Sequence, residues 1–444
     1  VLQLQDVLDS VERNYPPLLA ALADMEIAEA EQIIAEGRFD VRLQAGFDSN
    51  RLGFYSNEKF GVGVEQRFRS MGGSIGGGWR RGEGSFPSYE GELLTRSGGE
   101  YRTGLRLPLL RDRAIDSERA NLRKAGIQRT IARLTVDQQR LIITQLATRR
   151  YWDWVAAGLR RRVATSLLQV ATERDEFLRE AVRLGQLPAI EVMDNMRAIL
   201  NRRSELVTAE RLLQQAAINL SLFVRDGNGD PILPPPETLP ADFPSPEPVN
   251  EQALLQRVED GLRLRPEIDR LEAEIERALV DEKLARSDTL PNVDLGLGLT
   301  TERGVGPVLR GPSQFKASLM FELPFQRRDA KGRMYRAQAA VRQLEQRRRF
   351  AMDQVRAEIR EAVVALAAAH ERAMLLRQEL ETARNLEEAE RTRFQLGEGN
   401  LFLVNLREVA TADTAVRHVN ALFEYFAAKA QYEYAAAQLL AGPP

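Results

Sequence analysis

The sequence predicts an α+β chain built mainly of long α-helices, written twice in tandem, with a few amphipathic β-strands in each copy. Three observations predict it. The stretch VRLGQLPAIEVMDNMR (182–197) returns as FQLGEGNLFLVNLREV (394–409) at an offset of 212 residues, so that Leu184 meets Leu396, Gly185 meets Gly397 and Val192 meets Val404. Two segments of roughly 70 residues lack proline and place apolar residues at alternating spacings of four and three, the coiled-coil period. Four short segments alternate apolar and polar residues with period two, the strand signal.

A period of 212 residues is too long for a solenoid and implies two tandem halves. Between them lies DPILPPPETLPADFPSPEPVN (230–250), which holds eight of the chain's 20 prolines. Proline fixes φ and removes a donor, so this segment is expected to be an extended linker.

Each half runs through the same elements. NYPPLLAALADMEIAEAEQIIAEG predicts a helix over 17–36, since proline is tolerated in a first helical turn; 266–286 does the same in the second half. Strands follow. FDVRLQAGFD sets Phe39, Val41, Leu43, Ala45 and Phe47 on one face, and NVDLGLGLT sets Val293, Leu295, Leu297 and Leu299 together. The returning strands EYRTGLRLP and QFKASLMFELP end at Pro108 and Pro324, where a proline stops the ladder and is expected to start the next helix. Between the first pair of strands lie 36 more residues than between the second. KFGVGVEQRF and SIGGGWRRG, around Gly72-Gly73, read as one further hairpin (59–81) or as a glycine-rich surface loop.

The long helices are expected over 111–184 and 327–396, about 100 Å each at 1.5 Å per residue. Ile127, Ile131, Leu134, Leu141, Trp152, Val155 and Leu159 share one seam, with Gln138, Gln145 and Thr148 in its polar slots. Val355, Ile359, Ala362, Leu366 and Ala369 share the other. Gly185 and Gly397 sit where these helices stop, as residues that reach φ > 0 without a Cβ clash. Return helices follow over 189–223 and 401–440. The chain thus divides into a first helical part (1–38 and 109–230), first strands with their loop (39–108), the linker (231–250), a second helical part (251–290 and 325–444) and a second hairpin (291–324).

Composition removes several functions. The net charge is -2 over 444 residues, and basic clusters such as Arg347-Arg348-Arg349 read as solvated helix faces, so nucleic acid is not an expected partner. There are no cysteines, and the two histidines, His370 and His418, stand apart. Neither a metal centre nor a cofactor site is expected. Glu388 and Glu390 read as solvated pairs with nearby bases, and no nucleophile meets a base, so the chain does not read as an enzyme. No apolar run approaches the roughly 20 residues of a spanning helix, whereas barrel strands need only about 9–11. Helical patterning is already under way at Val1, as in a mature form whose leader has been removed.

Isolated strands with one apolar and one charged face cannot bury the apolar face on themselves. In a membrane barrel that face meets lipid and the other lines a wet lumen. Four strands are too few to close a channel, so copies must share one barrel.

The order and spacing of these parts resemble the TolC-like outer-membrane efflux proteins. The resemblance rests on the tandem halves, the NYPP helix, the strand starts FDVRL and LPNVDL, the strand ends LPLLRDRAID and LPFQRRDAKG, and the tip motifs RLGQLPAIEVMDN and QLGEGNLFLVNLR. It implies a homotrimer with a shared transmembrane β-barrel in the outer membrane of a Gram-negative bacterium, and a helical barrel reaching into the periplasm. The implied function is the exit duct of a tripartite efflux pump or type I secretion system, passive and coupled to a periplasmic adaptor and an inner-membrane transporter. Adaptor docking would fall on the tips, Leu184, Gly185, Gln186 and Leu187 with Leu396, Gly397, Glu398, Gly399 and Asn400. Better-known members carry acids six and nine residues after the second glycine; here those positions are Leu403 and Leu406, while the first copy has Glu191 and Asp194. An apolar constriction is therefore expected from Leu403 and Leu406, with Phe402 and Asn405 nearby, gating by excluding water; the alternative is that these leucines pack on a neighbouring helix. A non-channel coiled-coil protein is the other reading the helices permit, and the lipid-style alternation of the strands argues against it.

Overall fold

The structure, a computed structural model, describes residues 1–51, 53–306 and 313–440. The elements run α1 (Leu4–Asn14), α2 (Pro16–Glu36), β1 (Arg42–Asn50), β2 (Asn57–Arg67), β3 (Ser74–Gly84), β4 (Glu100–Pro108), α3 (Ser117–Arg183), α4 (Ile190–Ser221), α5 (Glu251–Gln256), α6 (Val258–Leu264), α7 (Pro266–Ser287), β5 (Asn292–Glu302), β6 (Ser313–Glu322), α8 (Arg328–Gln395) and α9 (Leu401–Ala435). The tip of the second hairpin, 307–312, and the last stretch of the second helical part, 441–444, lie outside the described residues. Among the described residues no helix is long and apolar enough to cross a membrane. Two compact units form, and each draws on both halves of the sequence: Val1–Ala23, Thr135–Ile268 and Phe350 onward make the first, Asp24–Leu134 and Asp269–Arg349 the second.

The second unit holds one antiparallel sheet in the order β1-β2-β3-β4-β5-β6. The segment that read as hairpin or loop is a hairpin, β2–β3, inserted between the first copy's two strands. The two copies join at β4 and β5, where Leu105 lies opposite Leu297 and Thr103 opposite Leu299. Alternation sorts the sheet into two faces. One carries Leu43, Phe47, Phe60, Val62, Trp79, Tyr101, Leu105, Leu297, Phe315 and Leu319. A cavity of about 890 Å³ lies over the other, which carries Gln44, Glu65, Arg80, Arg102, Arg106 and Lys316. Charges on that polar face pair across strands: Arg80 donates to Glu100 at 2.7 Å and Arg106 to Asp294 at 2.6 Å. Phe39 does not join its expected face; it sits before β1 in a 3₁₀ turn, Gly37–Phe39, and is buried.

Neither Pro324, after which α8 begins only at Arg328, nor Pro108, which ends β4, starts the next helix, contrary to the expectation. The chain first makes a connector around Arg119, which is buried. Its guanidinium pairs with Asp116 and donates to the carbonyls of Asp112, Arg113, Ala114 and, across in the β2–β3 turn, Ser70. Asp116 then caps α3 by accepting the Arg119 N–H at 2.9 Å. From Pro108 to Gly185 the chain runs four residues further than from Pro324 to Gly397, and the excess sits in this connector, since α3 and α8 have 67 and 68 residues.

The first unit is helix on helix. Of the two seams, Leu141, Thr148, Trp152, Val155 and Leu159 are buried on α3 and Val355, Ile359, Ala362 and Leu366 on α8. The proline-rich segment is extended apart from a 3₁₀ turn, Pro236–Thr238, but it is packed rather than free. Leu239 and Phe243 are buried. Phe243 stacks on Trp152 and Phe426 at centroid distances of 5.5 and 5.4 Å, and Leu239 presses so closely on α3 that a Cβ at Gly158 would lie 2.5 Å from it. Apolar side chains scattered among prolines gave no periodic signal, so the packing was invisible in sequence. Glu390, expected to be solvated, is instead buried, with Arg393 3.5 Å away.

Candidate functional site

The two tip turns are built the same way. Gly185 (φ +71°) donates its N–H to the Val182 carbonyl at 3.0 Å, and Gln186 donates to Ala181 at 2.9 Å. Gly397 (φ +80°) donates to Phe394 at 3.0 Å, and Glu398 to Arg393 at 2.9 Å. These are the paired bonds that close a helix through a left-handed residue. Nothing lies within 4 Å of a Cβ placed on either glycine, so φ alone demands them. Gly399 differs: its Cβ would stand 3.0 Å from the Phe394 nitrogen, a tight approach to the backbone of α8. Leu184, Gln186, Leu396, Glu398 and Asn400 are exposed, and Leu187 is half-buried.

The turns diverge as the return helices begin. Asn400 caps α9, its side-chain oxygen accepting the Leu403 N–H at 2.9 Å. α4 has no side-chain cap; the Pro188 carbonyl accepts the Glu191 N–H at 3.1 Å. Along α9, Leu401, Val404 and Glu408 are buried. Phe402 and Leu406, four residues apart, share the opposite face at 67% and 50% exposure, with Val409 one turn further. Leu403 is half-buried beside them. Asn405 is held in place, its oxygen accepting from Arg174 at 2.7 Å. On α4, Asp194 pairs with Arg197 at 3.3 Å and Glu191 is half-buried.

Behind this face lies a cluster that the sequence reading missed. Glu408 is 2% exposed, yet its carboxylate accepts from Arg174 on α3, Arg202 on α4 (3.0 Å) and Arg391 on α8 (3.4 Å). One side chain of α9 thereby ties to the three other long helices. Arg202 is buried and also donates to the Leu167 carbonyl at 2.9 Å. The signal was present: Glu408 continues the Leu401, Val404 spacing, and Arg174 lies between the buried Ala171 and Leu178 on the α3 seam. A charge in a core position of a helix pattern calls for a buried counter-charge.

Comparison with known proteins shows what the chain is similar to. Residues 258–441, which include β5, β6 and the second tip, match the outer membrane efflux protein family. That match covers less than half of the chain. Solved structures extend a likeness of fold over nearly the whole chain. The Vibrio cholerae outer membrane protein VceC superposes with a TM-score of 0.68 at 16% identity, covering 98% of this chain and 96% of that one. The Campylobacter jejuni CmeC outer membrane channel gives 0.66 at 15%, covering 98% and 85%, and the open state of the Neisseria gonorrhoeae MtrE outer membrane channel 0.66 at 17%, covering 98% and 88%. No curated protein sequence matches. The region that matches the family carries the α9 face of Phe402 and Leu406 and the buried Glu408 behind it.

Proposed function

We propose that this chain is the outer-membrane exit duct of a tripartite efflux pump or type I secretion system. It works as a homotrimer in the outer membrane of a Gram-negative bacterium and extends into the periplasm. Transport energy comes from an inner-membrane transporter, coupled through a periplasmic adaptor. The observation that carries the reading is the sheet: six strands of 9–11 residues, with an apolar face on one side, paired charges on the other, and an unpaired edge at each end. Strands of that length suit a membrane wall, and the face that meets lipid must be free of charge over its middle. Outward charges here are confined to one rim, at Glu58, Arg81 and Glu83. Fractionation with outer membranes and heat-modifiable migration on a gel test this directly; a chain found only in the soluble fraction overturns it.

Within the duct, the exposed Phe402 and Leu406 with half-buried Leu403 form the constriction, three copies facing one another around the pore. Asn405 buttresses the helix through Arg174, and Glu191 and Asp194 supply the first copy's acids nearby. Apolar rings of this kind resist conduction by shedding water. Replacing Leu403 and Leu406 by serine raises single-channel conductance in planar bilayers; unchanged conductance removes the constriction. The tips Leu184–Leu187 and Leu396–Asn400 dock the adaptor. Bulky or charged residues at Gly185 and Gly397 abolish cross-linking to it, and cross-linking that persists on an intact fold reduces the tips to turns.

A further inference from the structure

We propose that the inserted hairpin β2–β3 is part of the membrane wall, so that three copies close an eighteen-stranded barrel in which β6 of one copy pairs with β1 of the next. The proposal rests on the trimeric duct proposed above and specifies the partner surface and bore that this chain gives it.

The edges name the occupant. β1 and β6 are the two ends of the sheet, and every residue of both is exposed. An unpaired ladder in lipid costs several kcal/mol per group, so each edge must be met. Six strands alternating in direction leave β1 and β6 antiparallel, so β6 of one copy meets β1 of the next in antiparallel register with no crossover. A head-to-tail contact of that kind closes into a ring. The apolar face also continues across the seam, from Phe315, Ala317 and Leu319 on β6 to Leu43, Ala45 and Phe47 on β1.

The hairpin belongs to the same wall. It pairs along its full length with β1 and β4. Its turn is fastened at the helix side: Arg119 donates to the Ser70 carbonyl at 3.2 Å, and Arg67 pairs with Glu118 at 3.1 Å. Aromatic residues cross all but one of the strands in a slanted line. Phe47 faces Phe60; Trp79 and Tyr101 face each other two residues nearer the helix side; Phe315 lies two residues further down. Four residues of about 3.4 Å over five steps of about 4.8 Å make a slant of about 30°, close to the 35–45° tilt of barrel strands. The line is then level in the membrane, as an aromatic girdle must be.

Bore follows from strand number. At that spacing and a tilt near 40°, eighteen strands give a backbone diameter of about 36 Å, against about 24 Å for the twelve that would remain without the hairpin. Glycines line the polar face where curvature is needed: Gly63 lies opposite Gly78, and Gly76 opposite Gly104, itself opposite Gly298. A Cβ on Gly78 would lie 2.6 Å from the Val62 carbonyl oxygen, so no other residue fits. The bare backbone leaves the lumen wide.

Two measurements test this on the full chain. End-on views of the wild-type trimer by cryo-electron microscopy show eighteen strands, with Asn57–Gly84 inside the wall. Cysteines placed in pairs, Ala45→Cys with Ala317→Cys and neighbouring outward positions, give covalent dimers and trimers on oxidation, because the two positions lie on opposite edges of one chain. A twelve-stranded wall with the hairpin outside it, or an intact trimer in which no β1/β6 pair cross-links, overturns the inference and leaves the duct standing. A chain that never enters the membrane overturns both.

Discussion

Replacing Glu408 by glutamine keeps the shape of the side chain and removes its charge. Arg202, with 3% of its side chain exposed, and Arg174, with 10%, then lack their shared carboxylate. Removing one partner of a buried ion pair costs about 3–5 kcal/mol, because the stranded charge cannot reach water. Arg391, 41% exposed, adds little, since solvent screens it. The cost falls where α9 meets α3, α4 and α8, so it appears first as local opening. At about 1.4 kcal/mol per factor of ten, amide exchange over 401–412 and 195–206 accelerates about 100- to 4,000-fold, while strand 42–50 exchanges as before. Adding Arg202→Met to Glu408→Gln recovers part of the loss, because the pair is then replaced by an apolar contact. Exchange that changes less than about threefold in Glu408→Gln would refute the reasoning, since a buried charge left unpaired cannot be that cheap.

Alanine at Gly185 or Gly397 lowers stability by about 1–2 kcal/mol each through φ alone, whereas Gly399→Ala costs more because its Cβ meets Phe394; thermal melts of the three variants check the order. Burial, helped by Arg377 and Arg384 and opposed by Asp242, holds the His418 imidazole below its ordinary value. The neutral form is therefore the one the fold favours, and the stability it contributes is present above about pH 6.5 and lost as pH falls below it. Between about pH 7 and 5 the melting temperature of wild type drops further than that of His418→Gln, and equal slopes would dismiss the histidine. Arg119→Ala leaves the Ser70, Asp112, Arg113 and Ala114 carbonyls without their donor, so proteolysis within 68–73 rises while the tips stay protected; equal protection at both places would show the turn to be held by other contacts.

How far the sequence could be read varied with the range of the interaction. The tip glycines were legible because a helix end is a local event: the pattern stops, glycine follows, and the chain turns. The strands were legible from alternation, except Phe39, whose parity fitted a strand that the backbone had not yet begun. The β2–β3 hairpin stayed ambiguous because glycine density lowers strand propensity, and the same glycines are what let the strands approach and curve. Glu408 was overlooked because its three arginines lie 17, 206 and 234 positions away.

By itself the sequence determined the duplicated frame, the long seams, the alternating strands and the two turns, since each depends on residues within a few positions of one another. Tertiary structure alone decided that the proline segment packs instead of swinging free, that Pro108 gives way to a connector gathered on Arg119, that six strands stand in one sheet with β4 joining β5, and that Phe402 and Leu406 face outward while Glu408 faces in. These depend on which surfaces meet across hundreds of residues, and on where a buried charge finds its counter-charge, and no local pattern carries that information.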